Sequence, residues 1–358
     1  MHITTLRIKN FRNISDVSLV PCAGLNVVTG PNASGKTALL EAIYLFGRGR
    51  SFRTHRVREL IQYYQSALQV TAQLLTDQNQ SVPVGAERNQ RHLTLRYNAR
   101  PVRNLSEHAR RVPLVLITPD SHDLIAGGPA LRRRWLDWAL FHVEPDYLNC
   151  WQACFHALRQ RNSLLKRRTP DAQLDSWEQV LAQQTSALDI YRRSFIEQLQ
   201  HRFSEIVPGL LQGAAEIRYL PGRDEQCEYR ELLRLSRTID RERGFTQSGP
   251  HRGDLRLTQS GVGVRANLSR GQTKLYIAAL MLAYAAVLTD NGLQPLILVD
   301  DLPAELDEQA RQRFMSALAA ANTQTFVTAI EHGQLALGDW PAATLFHVEQ
   351  ECRQEVIQ

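Results

Sequence analysis

The sequence predicts an α/β fold: one mixed domain whose two halves are separated by an inserted helical arm. Three observations predict it. A mostly apolar run, Leu25–Thr29, ends in a glycine-rich loop that leads straight into a helical pattern from Ala38 to Phe46. A second apolar run, Leu296–Val299, ends in two carboxylates, Asp300 and Asp301. Between them, from Ala130 to about Val207, strand alternation disappears and apolar residues recur at helical spacing.

The first stretch alternates as half-buried strands do. Leu6 and Ile8 interleave with Arg7 and Lys9, and Val17 and Leu19 flank Ser18. Leu25–Thr29 reads as a strand buried on both faces, and further strands are expected at Ala67–Leu75 and Leu93–Tyr97. Within the helical stretch, Leu148, Trp151, Phe155, Leu158 and Leu165 form one apolar stripe. Trp177, Leu181, Leu188, Tyr191, Phe195, Leu199, Phe203 and Ile206 form another. These predict long antiparallel helices, broken near Thr169–Asp171 and ended by Pro208. From about Arg241 the mixed texture returns, with a loop at Gly249–Gly253 and strands at Leu296–Val299 and Thr325–Ile330. The division expected is 1–120 for the first part of the mixed domain, 121–240 for the arm and 241–358 for the second part.

With 43% apolar and 22% charged residues in 358, the chain has material for a full core, which excludes a disordered protein. A net charge of +6 and a pI near 9.2 suit a polyanionic partner such as nucleic acid. The five cysteines are scattered and contain no Cys-x-x-Cys pair, as in reduced cytosolic proteins. Cys150 and Cys154 would share a helix face, where two small buried side chains are expected rather than a metal site. No apolar stretch follows the basic N-terminal residues, so no signal peptide is expected. The longest apolar run, Leu275–Leu288, is shorter than the roughly 18 residues of a membrane span and is expected as a buried core helix.

Gly30-Pro31-Asn32-Ala33-Ser34-Gly35-Lys36-Thr37 matches G-x-x-x-x-G-K-[ST], set between strand and helix as a phosphate loop must be. There the backbone N–H groups and a helix N-terminus surround phosphates, Lys36 adds charge and Thr37 ligates Mg²⁺. Asp300 is assigned to the metal and Asp301 to the attacking water. Leu268-Ser269-Arg270-Gly271-Gln272 opens the later core helix, and it presents the Ser269 hydroxyl, the bare Gly271 backbone and free helix N–H groups to an anion. Arg48, Arg50, Arg53, Arg56 and Arg58 follow the phosphate-loop helix and could track a DNA backbone. Arg132–Arg134 and Lys166–Arg168 are weaker candidates for the same role.

The order of these motifs, followed by Ala304-Glu305-Leu306-Asp307, resembles that of the ATP-binding-cassette superfamily. Within it the chain resembles the RecF family along nearly its whole length. The resemblance is carried by Lys9–Asn13, the phosphate loop, Gly47–Arg53 and Ile117–Asp120 through Gly127-Gly128-Pro129 to Arg133–Trp138. It continues through Gly249–Asp254, Leu268–Gln272 and Asp300-Asp301.

That resemblance implies an ABC-type ATPase head, a P-loop NTPase, with an inserted helical arm domain. It implies that Arg12 reaches the nucleotide phosphates, and that Ser269, Gly271 and Gln272 of one copy cover the γ-phosphate held by another. It further implies an ATP-dependent homodimer and slow, DNA-stimulated hydrolysis. The ligand it implies is double-stranded DNA at single-strand junctions, with RecR and RecO as implied partners in loading RecA, and the cytoplasm is the expected compartment. A transporter ATPase subunit is the alternative, but it predicts a much shorter spacing between Lys36 and Ser269. Three positions depart from cassette habit: Ala33 replaces a frequent glycine, which requires a negative φ there. Asp301 stands in place of glutamate. Thr328 lies where transporters carry a histidine, with His332 nearby.

Overall fold

Leu25–Thr29 is buried at every position and forms β3, the strand that delivers the phosphate loop. It lies parallel to β13 (Thr325–Ala329) on one side and to β14 (Ala343–Val348) on the other. The parallel run continues through β12 (Leu296–Val299) to β8 (Leu114–Ile117), and β15 (Cys352–Ile357) pairs antiparallel at the far edge. β12 and β13 are buried at every position too, as parallel strands covered on both faces should be. The computed structural model describes residues 1–301, 306–331, 335, 340–348 and 352–357.

A second, antiparallel sheet runs β2 (Ile14–Leu19), β1 (His2–Phe11), β4 (Ala67–Leu75), β5 (Ser81–Asn89), β6 (Leu93–Tyr97) and β7 (Arg100–Pro101). A register shift between Ile3 and Thr5 breaks the alternation of β1, so its buried set passes from Ile3 to Leu6 and only then resumes at Ile8. One apolar core joins both sheets to α1 (Lys36–Arg48): Leu39, Ile43 and Phe46 of the helix cluster with Ile8, Val70 and Leu74 and with Val28 and Leu298.

The long apolar helix α10 (Arg270–Asp290) packs against β8 and α11 (Glu308–Ala320). It is long and apolar enough to cross a membrane, yet from Leu275 to Leu288 only Ala286 is not fully buried. It is the core helix its composition predicts. α2 (Leu105–Arg111) packs on α1, where His108 contacts the Phe46 carbonyl through Nε2 at 2.8 Å.

The chain divides into two units. The first holds Met1–Ser121, Ile206–Gln212 and Ser269–Gln358, and the second holds His122–Glu205 and Gly213–Leu268. Residues 241–268, expected with the second part of the head, group with the helical unit instead. The cause is a long-range pairing: β10 (Asp254–Gln259) lies antiparallel to β9 (Ala215–Leu220) over its whole length and carries β11 (Val262–Gly263) with it.

The second unit is otherwise helical, with α3 (Asp123–Ala126), α4 (Pro129–Val143), α5 (Tyr147–Lys166), α6 (Asp171–Leu210) up to Glu205, α7 (Tyr229–Leu235), α8 (Arg237–Arg243) and α9 (Val264–Asn267). Pro208 does not end α6, which runs on to Leu210. The inward face of α5 is Tyr147, Cys154, Leu158, Arg161 and Leu165, while Trp151 and Phe155 are half-buried and stack on each other.

Arg161 is fully buried because its fork is satisfied on every side: Nε meets Glu178 at 3.0 Å, Nη1 meets Asp240 and Thr246 at 2.7 Å each, and Nη2 meets the Leu233 carbonyl at 2.8 Å. The Gly249–Asp254 turn is held in the same way. Arg192 donates to the Pro250 carbonyl at 3.1 Å, Arg133 to the Gly253 carbonyl at 2.7 Å, and Arg132 grips Asp254 with two nitrogens. Arg132 and Arg133, weaker candidates for DNA contact in the sequence, are structural ties of this turn.

Candidate nucleotide site

The loop leaves β3 through Gly30, whose φ is +147° and where a Cβ would stand 2.2 Å from the Val348 carbonyl oxygen. No other residue fits there. The loop closes on Gly35, and α1 starts at Lys36 with no acidic residue in its first turn. From the β1–β2 turn, the Asn13 amide donates to the Ser34 carbonyl at 3.0 Å and ties the loop down. Ala33 takes φ +65°, so the negative φ that would make alanine harmless is not adopted and the loop carries left-handed strain.

Lys36 is 4% exposed, and its ammonium donates only to the carbonyls of Gly30 at 2.8 Å and Pro31 at 3.0 Å. Among the described residues it forms no ion pair, and Ser34 Oγ beside it is buried with no partner. An uncompensated buried ammonium costs several kcal/mol, and an anion seated in the loop would offset it. The residues present therefore fit a phosphate group.

The acids arrive from β12. Asp300 is 7% exposed, and its Oδ1 accepts from Thr37 Oγ1 and from Thr328 Oγ1, each at 3.0 Å. Burial, and secondarily the neighbouring Asp301, push its carboxyl above the usual carboxylate range, while the hydroxyl of Thr328 pulls the other way. Asp301 takes φ +48°, and its N–H donates to Thr328 Oγ1 at 2.7 Å. Thr37, Asp300 and Asp301 supply hard oxygen donors, and among the described residues neither acid forms an ion pair, a set that suits Mg²⁺. Ala304, Glu305 and His332 lie outside the described residues.

Arg12 lies beside the loop, but its guanidinium forks onto Glu41 of α1, with Nε on one carboxylate oxygen and Nη2 on the other at 2.7 Å. Three of its five N–H donors remain. Glu41 is fully buried and also accepts from Ser51 Oγ, so it anchors the segment that follows α1. Of the five arginines in that segment, Arg48 turns inward: its Nε donates to Tyr44 at 3.2 Å, and burial lowers it to about 10. It leaves the set of candidate DNA contacts. Arg50, Arg53, Arg56 and Arg58 are exposed, with Arg56 bridged to Glu59 at 3.3 Å. Arg56 and Arg58 line a groove of about 1470 Å³ together with Arg12, Asn13, Gln62 and Tyr63, so the groove adjoins the phosphate loop.

Ser269 caps α10 in a reciprocal box: its Oγ accepts from the Gln272 N–H at 3.3 Å, and its own N–H donates to Gln272 Oε1 at 3.0 Å. Ser269, Arg270, Gly271 and Gln272 are exposed, and a Cβ on Gly271 would meet nothing within 4 Å. Among the described residues, no hydrogen bond joins this turn to the phosphate loop of the same chain.

Residues 2–354 match the family described as RecF/RecN/SMC N terminal domain. The chain is 38% identical over 357 residues to the DNA replication and repair protein RecF of Pseudomonas putida, covering 98% of this chain and 97% of that one.

The chain belongs to the RecF family.

RecF of Cellvibrio japonicus is 37% identical, with 98% of both chains covered. In fold the chain is similar to a recombination mediator protein RecF solved with ATP, with a TM-score of 0.85 at 24% identity and 99% of each chain covered. It is also similar to an Smc head domain of Pyrococcus furiosus bound to the C-terminal domain of ScpA, with a TM-score of 0.62 at 16% identity over 100% of this chain and 96% of that one. The head seen here is thus the fold of the RecF family and of Smc heads. Asn13, Glu41 and Thr328 are the site neighbours that motif reading did not assign. Glu41 alone left a local signal, as a charge inside the apolar helical pattern of 38–46.

Proposed function

We propose that this chain is an ATP-switched DNA-binding protein of replication and recombinational repair, and that a second copy completes its nucleotide site. The observation that carries this reading is Lys36, a buried ammonium without a counter-charge inside a loop of backbone donors. In this reading residues 30–37 hold the ATP phosphates, Thr37 and Asp300 hold Mg²⁺, and Asp301 orients the water. Arg12 contributes its remaining donors to the phosphates. When bound, Mg²⁺ neutralises phosphate charge. The water oxygen bonds to the γ-phosphorus as the bond to the β–γ bridging oxygen breaks, which leaves ADP and inorganic phosphate.

The turn Ser269–Gln272 is exposed and, among the described residues, makes no hydrogen bond to the phosphate loop of its own chain, which supports pairing of two chains around two nucleotides. Hydrolysis is slow, stimulated by DNA, and opens the pair. Arg50, Arg53, Arg56 and Arg58 are the exposed cations we assign to duplex DNA at single-strand junctions, with RecR and RecO as partners in loading RecA, in the cytoplasm. A transporter ATPase is not favoured, because the inserted second unit separates Lys36 from Ser269 and the family is that of repair proteins.

Binding of the purified chain to a gapped duplex, with and without ATP and Mg²⁺, tests this function. We expect ATP to raise affinity at least tenfold, and Lys36→Met to abolish the gain while the chain stays folded. Equal affinity with and without ATP would refute the switch.

A further inference from the structure

We propose that Thr328 is a positioning residue that aims both site carboxylates through its single hydroxyl. The inference rests on the reading of the site as an ATP hydrolase and extends it to a residue to which the sequence assigned no role. Thr328 is fully buried on β13, the strand that pairs with β12 at Val299↔Val327, so it stands level with the end of β12 where the acids begin. Its oxygen accepts the Asp301 N–H at 2.7 Å. Its one proton has two acceptors in reach, Asp300 Oδ1 at 3.0 Å and Asp301 Oδ1 at 3.3 Å. A hydroxyl has one proton to give, so the two carboxylates compete for it.

That competition is workable because Asp300 Oδ1 has a second donor, Thr37 Oγ1, also at 3.0 Å. Thr37 can keep Asp300 in place whenever the Thr328 proton turns to Asp301. The backbone adds a second constraint. Asp301 holds φ +48°, a left-handed conformation that a non-glycine residue keeps only when its surroundings enforce it. The N–H bond to Thr328 is the enforcing contact seen here. Without it Asp301 relaxes toward ordinary backbone angles and its carboxylate moves off the line of the attacking water. The β-branched threonine has few χ1 options on a strand, which fixes the hydroxyl where serine would leave it freer.

The test compares Thr328→Val, which keeps the shape and removes the hydroxyl, with Thr328→Ser, which keeps the hydroxyl. For each full-length variant, affinity for a fluorescent ATP analogue is measured with and without Mg²⁺, then kcat and KM for ATP, then the lifetime of any ATP-bound dimer. We expect Thr328→Val to bind the analogue within about twofold of wild type but to lose roughly tenfold or more in kcat, the size of effect expected from a misplaced catalytic group. Its ATP-bound dimer should persist longer, and Thr328→Ser should recover most of the rate. Wild-type kcat in the valine variant, or equal losses in both variants, would overturn the proposal while leaving the ATPase reading intact. If the valine variant does not fold, Thr328→Ala against Thr328→Ser gives the same comparison. A wild-type chain that binds no ATP at all would overturn the underlying reading and this proposal with it.

Discussion

Lys36, at the start of α1, and Asp300, just past the end of β12, are a buried cation and a buried acid that form no ion pair among the described residues, each held by neutral partners. A folded carboxyl pushed up by burial makes the ionised form a cost at neutral pH, one that disappears as pH falls and the group protonates. Asp300→Asn should therefore raise the stability of the nucleotide-free chain by on the order of 1 kcal/mol in chemical denaturation, while removing Mg²⁺-dependent hydrolysis. Ala33 gives a second prediction. Glycine relieves the left-handed strain, about 1–2 kcal/mol, against an entropic penalty of roughly 0.4–1 kcal/mol. Ala33→Gly should thus gain between roughly 0 and 1.6 kcal/mol by the same measurement. The loop residues were legible because the chemistry of phosphate binding dictates their spacing. The sign of φ at Ala33, the fork of Arg12 onto Glu41 and the double role of Thr328 were not, since each depends on a neighbour distant in sequence.

Among the elements, α10 is the one whose two ends do different work. Its body is apolar all round and buried, which composition alone predicts. Its first turn is capped and exposed. Gly271→Arg places a side chain where nothing lies within 4 Å, so the thermal melting midpoint should change by less than about 2 °C, within the range of a neutral surface change. ATP-driven pairing should be lost in the same variant. Strands β3, β4, β6 and β12 stand where alternation or continuous burial places them. The inward face of α5 was misread because periodicity treats an arginine as solvent-facing, whereas Arg161 is buried among Glu178, Asp240 and Thr246, partners that pattern does not reveal.

Across the whole molecule, each unit carries a histidine kept neutral by burial: His108 in the first and His251 in the second, both lowered from the usual value. Below about pH 6.5 the unfolded chain takes up protons that these folded rings refuse, so stability present above that pH is lost as the pH falls. Melting midpoints should drop between pH 7 and 5. His108→Gln, whose amide can still donate to the Phe46 carbonyl, should flatten the decline of the first unit. The two-part architecture was legible from texture, but the end of the insertion was not, because the pairing of β10 with β9 and the arginine ties to residues 246–254 join partners distant in sequence.

In the proposed dimer, the nucleotide site of one chain is finished by the first turn of α10 from another. The solution mass of the purified chain, with and without ATP and Mg²⁺, tests it directly, beside an Asp301→Asn variant that retains bound ATP. The account predicts a monomer that becomes a dimer on adding ATP and Mg²⁺, with the dimer outlasting that of the wild type in the variant. A chain that demonstrably binds ATP and remains monomeric in both forms would contradict it.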